Sequence, residues 1–330
     1  MEKVKAPEVS IVIPTTLRKM LIENLTDVIE KVSFQNTIFN TIFYEVILVI
    51  DGIIQEIPGE TQKILNEITL KYPFFSYYQN SKKGAAANRN YGAIKAKGKY
   101  LLFFDDDLIL PSIDVIQEMY NFVSVHPHTA INPNWILPPA LIEEMKKTKF
   151  GRFIINVDLI NYRGWVNLPE WDDKNIFEAS KISVYCLMIS KEDFDNSKGF
   201  DEIFGNQGSE DFELSRRLRE NNVKLYINPL LCIYHNEYDR MDIRSRMQRL
   251  YNGAKNRKVA YQKLGIEEFN IRYHPIKKAI LSVISNFPNF WLFIYDLVPN
   301  YKIFDFFSFK LAHVITAIYI YLGFCKSKIE

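Results

Sequence analysis

The stretch Tyr100 to Leu110, YLLFFDDDLIL, runs large apolar residues directly into three adjacent carboxylates, Asp105, Asp106 and Asp107. Two unit charges about 4 Å apart repel by roughly 4 kcal/mol at an effective dielectric of about 20, so three acids beside a core need a compensating cation. A divalent metal is the obvious candidate, and a solvated acidic turn capping the following helix is the competing reading. Two more acidic positions share this setting: Asp51 closes the apolar run EVILVI, and Gly208-Ser209-Glu210-Asp211 opens a helical pattern. Acids in a first turn also stabilise the helix dipole by about 0.3–1 kcal/mol, so Glu210 and Asp211 alone do not establish chemistry.

The elements that must position these acids are legible. VSIVIP (Val9–Pro14) is an apolar run ended by a proline, which reads as a buried strand followed by the loop Thr15 to Arg18. A helix through about Asn36, a strand Glu45–Ile50, a helix of about Glu60–Lys71, a strand Phe74–Gln79, a helix Ala86–Ala96 and a strand Lys99–Phe104 follow. That alternation implies right-handed βαβ units and a parallel sheet, with ligands beyond the carboxyl ends of the strands. Further on, helices are expected at Asp114–Val125, Ala140–Phe150, around Asp193 and at Glu210 to about Asn221, with strands at Ile182–Ile189 and Lys224–Ile227. Asn161–Asp173 and Gly199–Ser209 have loop composition.

With 330 residues, 48% of them hydrophobic, the chain has enough apolar material for one large α/β domain with an appendage. Lys and Arg total 41 against 39 Asp and Glu, a balance that argues against a nucleic-acid partner. Cys186, Cys232 and Cys325 are far apart, lack metal-ligand spacing and sit in apolar runs, as buried thiols in a cytoplasmic protein would. The N-terminus has no apolar segment long enough for a signal peptide.

In order, VSIVIPTTLR, EVILVIDG, KKGAAANRNYGAIKAKGKYLLFFDDD, VYCLMISKEDFDNSKGFDE, GSEDFELSRRLRENN and the His after INPLLCIY resemble the family 2 glycosyltransferases over roughly residues 8 to 265. The resemblance implies an α/β GT-A fold, Rossmann-like, with a mostly parallel central sheet flanked by helices. Residues 1–265 would form the transferase domain, with 1–110 as its nucleotide-binding half and 111–265 as its acceptor-binding half. It also implies inverting transfer from a nucleotide-diphosphate sugar, with UDP the expected nucleotide, although no residue excludes guanosine or thymidine. Pro14, Thr15, Arg18, Asp51, Arg89, Asp105 and Asp106 then fall on the donor-binding positions. Asp105 and Asp107 match the family's Asp-x-Asp, and His235 is the candidate imidazole ligand for Mn2+ or Mg2+. Asp211 matches the family's base, with Glu210 orienting the acceptor or the base. Lys82 and Lys83, before a glycine at a helix entry, suit phosphate charge or plain solvent equally. Trp165 and Trp171 would offer faces to a sugar or simply pack.

Asp239–Leu264 reads as a basic amphipathic helix, and residues 266–330 as a helical extension rich in aromatics and lysines. A spanning helix needs about 20 apolar residues; the fifteen from Leu311 to Cys325 would rise only about 22 Å. Three readings stay open for 279–325: peripheral attachment to a membrane, burial or a dimer contact, and a true span. A lipid-linked glycan acceptor on the cytoplasmic membrane face, in surface polysaccharide assembly, would give attachment a purpose. The competing classes are a sugar nucleotidyltransferase, disfavoured because no Gly-rich, Lys-containing pyrophosphate loop follows the first strand, and a non-catalytic scaffold of the same fold, disfavoured because every motif acid is present.

Overall fold

The computed structural model describes residues 6–18, 20–39, 43–52, 57–204, 208–238 and 241–328. Along the chain come β1 (Val9–Thr15), α1 (Leu21–Phe34), β2 (Tyr44–Asp51), α2 (Gly59–Lys71), β3 (Phe75–Asn80), α3 (Ala85–Lys95), β4 (Tyr100–Phe104), β5 (Leu108–Ile109), α4 (Asp114–Val125) and β6 (Thr129–Ile136). Next are α5 (Pro139–Lys146), α6 (Lys149–Asn156), α7 (Tyr162–Val166), β7 (Phe177–Glu178), β8 (Cys186–Ser190), α8 (Lys191–Asn196), α9 (Glu210–Glu220) and β9 (Lys224–His235). The last helices are α10 (Ile243–Lys263), α11 (Pro275–Ile284), α12 (Pro288–Leu297) and α13 (Asp305–Tyr321). They divide into two compact units, one made of 1–136, 166–205 and 210–236, the other of 137–165, 206–209 and 237–330.

The first unit holds the sheet, in the order β3-β2-β1-β4-β8-β6-β9-β5 with β7 on β9. The expected parallel pairing holds for β3, β2, β1 and β4, whereas β8 runs antiparallel to both β4 and β6. β1 and β4 are buried along their whole length, which is why they carry unbroken apolar runs. Helix α3 lies close on β1 and β2 because Gly92 faces them: a Cβ there would sit 2.3 Å from Val12 Cγ1 and 3.2 Å from Val49 Cγ2. Gly92→Ala is therefore expected to lower stability by about 1–3 kcal/mol in urea unfolding, although alanine is the better helix former.

Four expectations need correction. The strand expected from Ile182 begins at Cys186, because the Ser215 hydroxyl takes up the Ile182 backbone, accepting its N–H at 3.2 Å and donating to its carbonyl at 3.0 Å. The strand expected to stop at Ile227 continues to His235: where the ladder with β6 passes from Pro133↔Asn228 to Asn134↔Cys232, a bulge absorbs Pro229 to Leu231. The single helix expected over Ala140–Phe150 is two helices. Thr148 caps the second by accepting from Gly151 N–H at 2.9 Å, and a Cβ on Gly151 would meet the Met145 carbonyl at 2.2 Å. A short helix, α7, also interrupts the loop expected over Asn161–Asp173. Of the expected loop Gly199–Ser209, residues 205–207 lie outside the described residues, as do Asp239 and Arg240 of the basic helix.

The second unit is helical. The basic helix is α10, capped by Asp242, whose side chain accepts from Arg244 N–H and Ser245 N–H. Lys149 donates to the carbonyls of Tyr295 at 2.6 Å and Val298 at 2.5 Å, closing the C-terminal end of α12. Arg152 grips Asp305 through Nε at 2.8 Å and Nη2 at 2.7 Å, fixing the start of α13 to α6. With the turns on either side of α13, Lys302–Lys326 is helical for 25 residues, about 37 Å at 1.5 Å each. The helix is thus longer than the apolar stretch suggests, and it passes the length and composition test for crossing a bilayer.

Candidate active site

All the acids singled out above belong to the first unit. β4 ends at Phe104; the next residue, Asp105, donates its N–H to the Tyr185 carbonyl at 2.8 Å, and a turn then leads to β5. β5 pairs antiparallel with the end of β9, setting Leu108 opposite His235, while Asn236 N–H donates to the Asp107 carbonyl at 2.8 Å. The register brings His235 Nε2 to 3.2 Å from Asp107 Oδ2. The indole of Trp135 meets the His235 ring edge-on at 5.0 Å.

β1 approaches the same turn. Thr15 Oγ1 donates to Asp106 Oδ2 at 2.5 Å and accepts from Leu17 N–H at 3.0 Å. Leu17 takes the left-handed conformation (φ 60°), and Arg18 follows it to pair with Asp106 Oδ1 at 3.5 Å and closely with Asp107. Asn24 of α1 donates to the Asp106 carbonyl at 2.8 Å. Pro14, one residue back, is buried in the ladder opposite Val49.

Asp51, at the end of β2, accepts Gly84 N–H at 2.9 Å and so caps α3 from outside the helix. Gly84 itself has φ 104°, a conformation open to glycine. Arg89, four residues into α3 and almost wholly buried, is the hub of the site. Its Nη2 donates to Asp105 Oδ1 at 2.7 Å, its Nη1 lies 3.5 Å from Glu210 Oε1, and its guanidinium lies over Phe200 at 5.5 Å. One cation thus joins the end of β4 to the first turn of α9. Asp211, beside Glu210, accepts Phe212 N–H at 2.8 Å.

Burial dominates the electrostatics. It raises the Asp105 carboxyl against the lowering effect of Arg89. Burial and then the charge on Asp107 push Asp106 up to about 7, against Thr15 and Arg18. Burial and then Glu210 push Asp211 up to about 7, with the Phe212 N–H, Ser183 and Arg89 opposing. A carboxyl raised in the folded state contributes stability that is fully present below its unfolded value and is lost as pH rises through the folded one. Asp211→Asn is therefore expected to be more stable than the parent above pH 7, by an amount on the order of 2–4 kcal/mol, and the difference should shrink below about pH 4. Melting curves across that range check it.

For a metal, Asp107 and His235 supply one oxygen and one nitrogen donor at close range. Among the described residues no group of three His, Cys, Asp or Glu could hold an ion unaided. A hard divalent cation that takes one or two protein ligands and completes its shell with phosphate oxygens and water fits such a donor set. Arg18, Arg89 and His235 also stand beside the trio. Sequence reasoning anticipated Arg18 and Arg89 but not their partners, and it missed Asn24, Trp135, Ser183 and Phe200. Nothing in their local spacing marks them, because each reaches the site through packing of distant segments. One missed contact did have a local signal: Glu213 and Arg217, at i, i+4, form a two-pronged pair at 2.7 and 2.6 Å, and Arg217 also donates to the Gly199 carbonyl at 2.6 Å. Lys82 is exposed and paired with Glu202 at 2.7 Å. Trp165 stacks on Tyr162 at 6.1 Å, and Trp171 meets Phe177 at 5.4 Å while donating to Asp173.

Fold and site together define a glycosyltransferase of GT-A architecture. A family model described as Glycosyl transferase family 2 matches residues 10–184, over half of the chain, and the chain belongs to that family. No curated protein matches it significantly. Among solved structures it is similar to mannosyltransferase PcManGT from Pyrobaculum calidifontis in complex with GDP-Man and Mn2+, with a TM-score of 0.57 and 12% identity, covering 98% of this chain and 89% of that one. It is also similar to GalNAc-T7 with UDP, GalNAc and Mn2+, with a TM-score of 0.51 and 14% identity, covering 70% of this chain but only 43% of that one. At such identities the likeness shows the fold alone.

Proposed function

We propose that this chain moves a sugar from a nucleotide-diphosphate sugar, with a UDP-sugar as donor, to a glycan or lipid-linked glycan acceptor, inverting the configuration at C1. Its setting in this reading is surface polysaccharide assembly at the cytoplasmic face of a membrane, with 1–265 as the transferase domain and 266–330 as a helical extension. The observation that carries the reading is the gathering of Asp105, Asp106, Asp107, Arg89, His235, Glu210 and Asp211 within one compact unit of a family 2 chain. The GDP-Man, UDP and Mn2+ named with the two similar structures support a nucleotide donor with Mn2+ or Mg2+ here.

Asp107 and His235, with Asp105, would hold the ion, which when bound supplies Lewis-acid stabilisation of the departing diphosphate. Pro14, Thr15, Arg18 and Asp51 form the nucleotide side; a carboxylate such as Asp51 suits a base N–H. Arg89 fixes Asp105 relative to Glu210. Asp211 then takes the proton from the acceptor hydroxyl as it attacks C1. A base is most effective when its pKa lies near the working pH, and Asp211 is pushed up to about 7.

Thermal-shift measurements against nucleotide sugars with and without Mn2+ test the reading. A true donor at about a hundred times its dissociation constant should stabilise the chain by about 2.7 kcal/mol. A chain unmoved by every nucleotide-diphosphate sugar would refute it.

A further inference from the structure

Between Ile276 and Phe307, a tenth of the chain, lie eleven of the twenty exposed large apolar residues among those described. On α11 they are Ile276, Ile280 and Val283, each more than half exposed; on α12, Phe290, Phe293 and Leu297 likewise. The two helices bend through 80° at the junction that carries Phe287, which is 64% exposed. Beside them an apolar groove of about 410 Å³ between α11 and α13 is lined by Ile276, Ile280, Leu281, Ile284, Val314 and Ala317, together with His274 and Lys277. An exposed apolar surface of this kind marks an interaction site.

Charge identifies the partner. Along the exposed apolar stretch, from 275 to 310, the chain carries four lysines (Lys277, Lys278, Lys302 and Lys310) against two acids. Both acids are already paired, Asp296 with Arg244 and Asp305 with Arg152. A second copy would bring the same positive charge, whereas an anionic bilayer offers the opposite one and an apolar layer beneath it. The length of Lys302–Lys326 would permit a crossing, but one face of the helix is packed against the rest of its unit. Between Lys310 and Lys326 the exposed residue is His313, while Ala312, Ile315, Ile318 and Tyr321 are buried against other helices of the unit and the positions between them are mostly half-buried. Lys149 and Arg152 moreover hold the end of α12 and the start of α13 to α6.

We infer that the bent α11–α12 pair lies in the surface of an anionic membrane, with its phenylalanines in the acyl boundary and its lysines at the headgroups, and that α13 does not cross. The inference deepens the membrane-face part of the proposed function and rests on it. Flotation of the full-length protein is the test, using vesicles of phosphatidylglycerol and phosphatidylcholine in equal parts and vesicles of phosphatidylcholine alone. Binding to the mixed vesicles should fall by about tenfold for each ring removed in the series Phe287→Ser, Phe290→Ser and Phe293→Ser. Lys277→Glu with Lys278→Glu should weaken binding to mixed vesicles while leaving binding to neutral ones unchanged, and alkaline carbonate should release the wild type. Retention after carbonate would show a crossing. Failure to float overturns the inference, and so does a wild-type dimer in light scattering that dissociates in the serine series, which would show a second copy on this face. Donor hydrolysis should be unchanged in the serine variants; its absence in the wild type would count against the transferase reading and leave the flotation result standing.

Discussion

Asp211→Asn is expected to lower kcat for sugar transfer by about 10²–10⁴, the range for loss of a positioned general base, while the protein keeps its fold and its affinity for nucleotide. The side chains are nearly isosteric, and the asparagine Oδ1 still accepts the Phe212 N–H that Asp211 accepts at 2.8 Å. Replacing a carboxyl that burial has raised to about 7 relieves strain rather than adding it, so lost activity cannot be assigned to unfolding. In the parent, the rate should climb with pH through about 7 as Asp211 loses its proton. Glu210→Gln should behave differently. Its carboxylate faces Arg89 at 3.5 Å, so the variant disturbs the hub and loses stability together with activity. Steady-state kinetics beside urea unfolding separates the two patterns: equal kcat losses with equal stability losses would remove the distinction between the two acids.

Arg89→Met is expected to produce the largest stability loss of any single substitution in the site, about 3–5 kcal/mol, because it leaves buried carboxylates without their cation. Asp105 and Glu210 both face this guanidinium, and Arg89 is itself 2% exposed. Arg89→Lys should recover little, since one ammonium cannot reach both acids as the planar fork does. Adding Glu210→Gln to Arg89→Met should restore part of the loss, and the double-mutant cycle measures how much of it belongs to that pair. The destabilisation should grow with rising pH, since the uncompensated groups are then ionised. Urea unfolding at two pH values checks it; a loss below about 1 kcal/mol would show that the trio is stabilised by Arg18 and His235 without Arg89.

What the sequence discloses here follows the distance over which each feature is determined. β1, β2 and β4 are readable because a strand covered on both faces must be apolar throughout, and α2 was bounded almost to the residue at Gly59–Lys71. β9 was cut short because Asn228 and Pro229 are strand breakers locally, and only pairing with β6, about a hundred residues earlier, carries the strand past them. The acid trio was visible, but taken alone it was equally consistent with a solvated turn. Its compensation by Arg18, 89 residues away, depends on how β1 ends beside β4 and leaves no trace in local spacing. Roles for Asp211 and His235 came from family resemblance, since a first-turn acid and a lone histidine after an apolar run are ordinary structural features. The C-terminal helices were recognisable by composition, yet which of their faces is covered is a property of packing against α6 and α10.

In the proposed division of labour, Asp107 and His235 would hold a cation together with the donor's diphosphate, and Asp211 would be left to deprotonate the acceptor. Electron paramagnetic resonance of Mn2+, titrated into the wild type, Asp107→Asn and Asp211→Asn with and without UDP, tests it without relying on turnover. The account predicts that UDP tightens Mn2+ binding in the wild type and in Asp211→Asn alike, and that Asp107→Asn weakens it by at least about tenfold. Equal binding by all three proteins, or loss in Asp211→Asn to match that in Asp107→Asn, would contradict it.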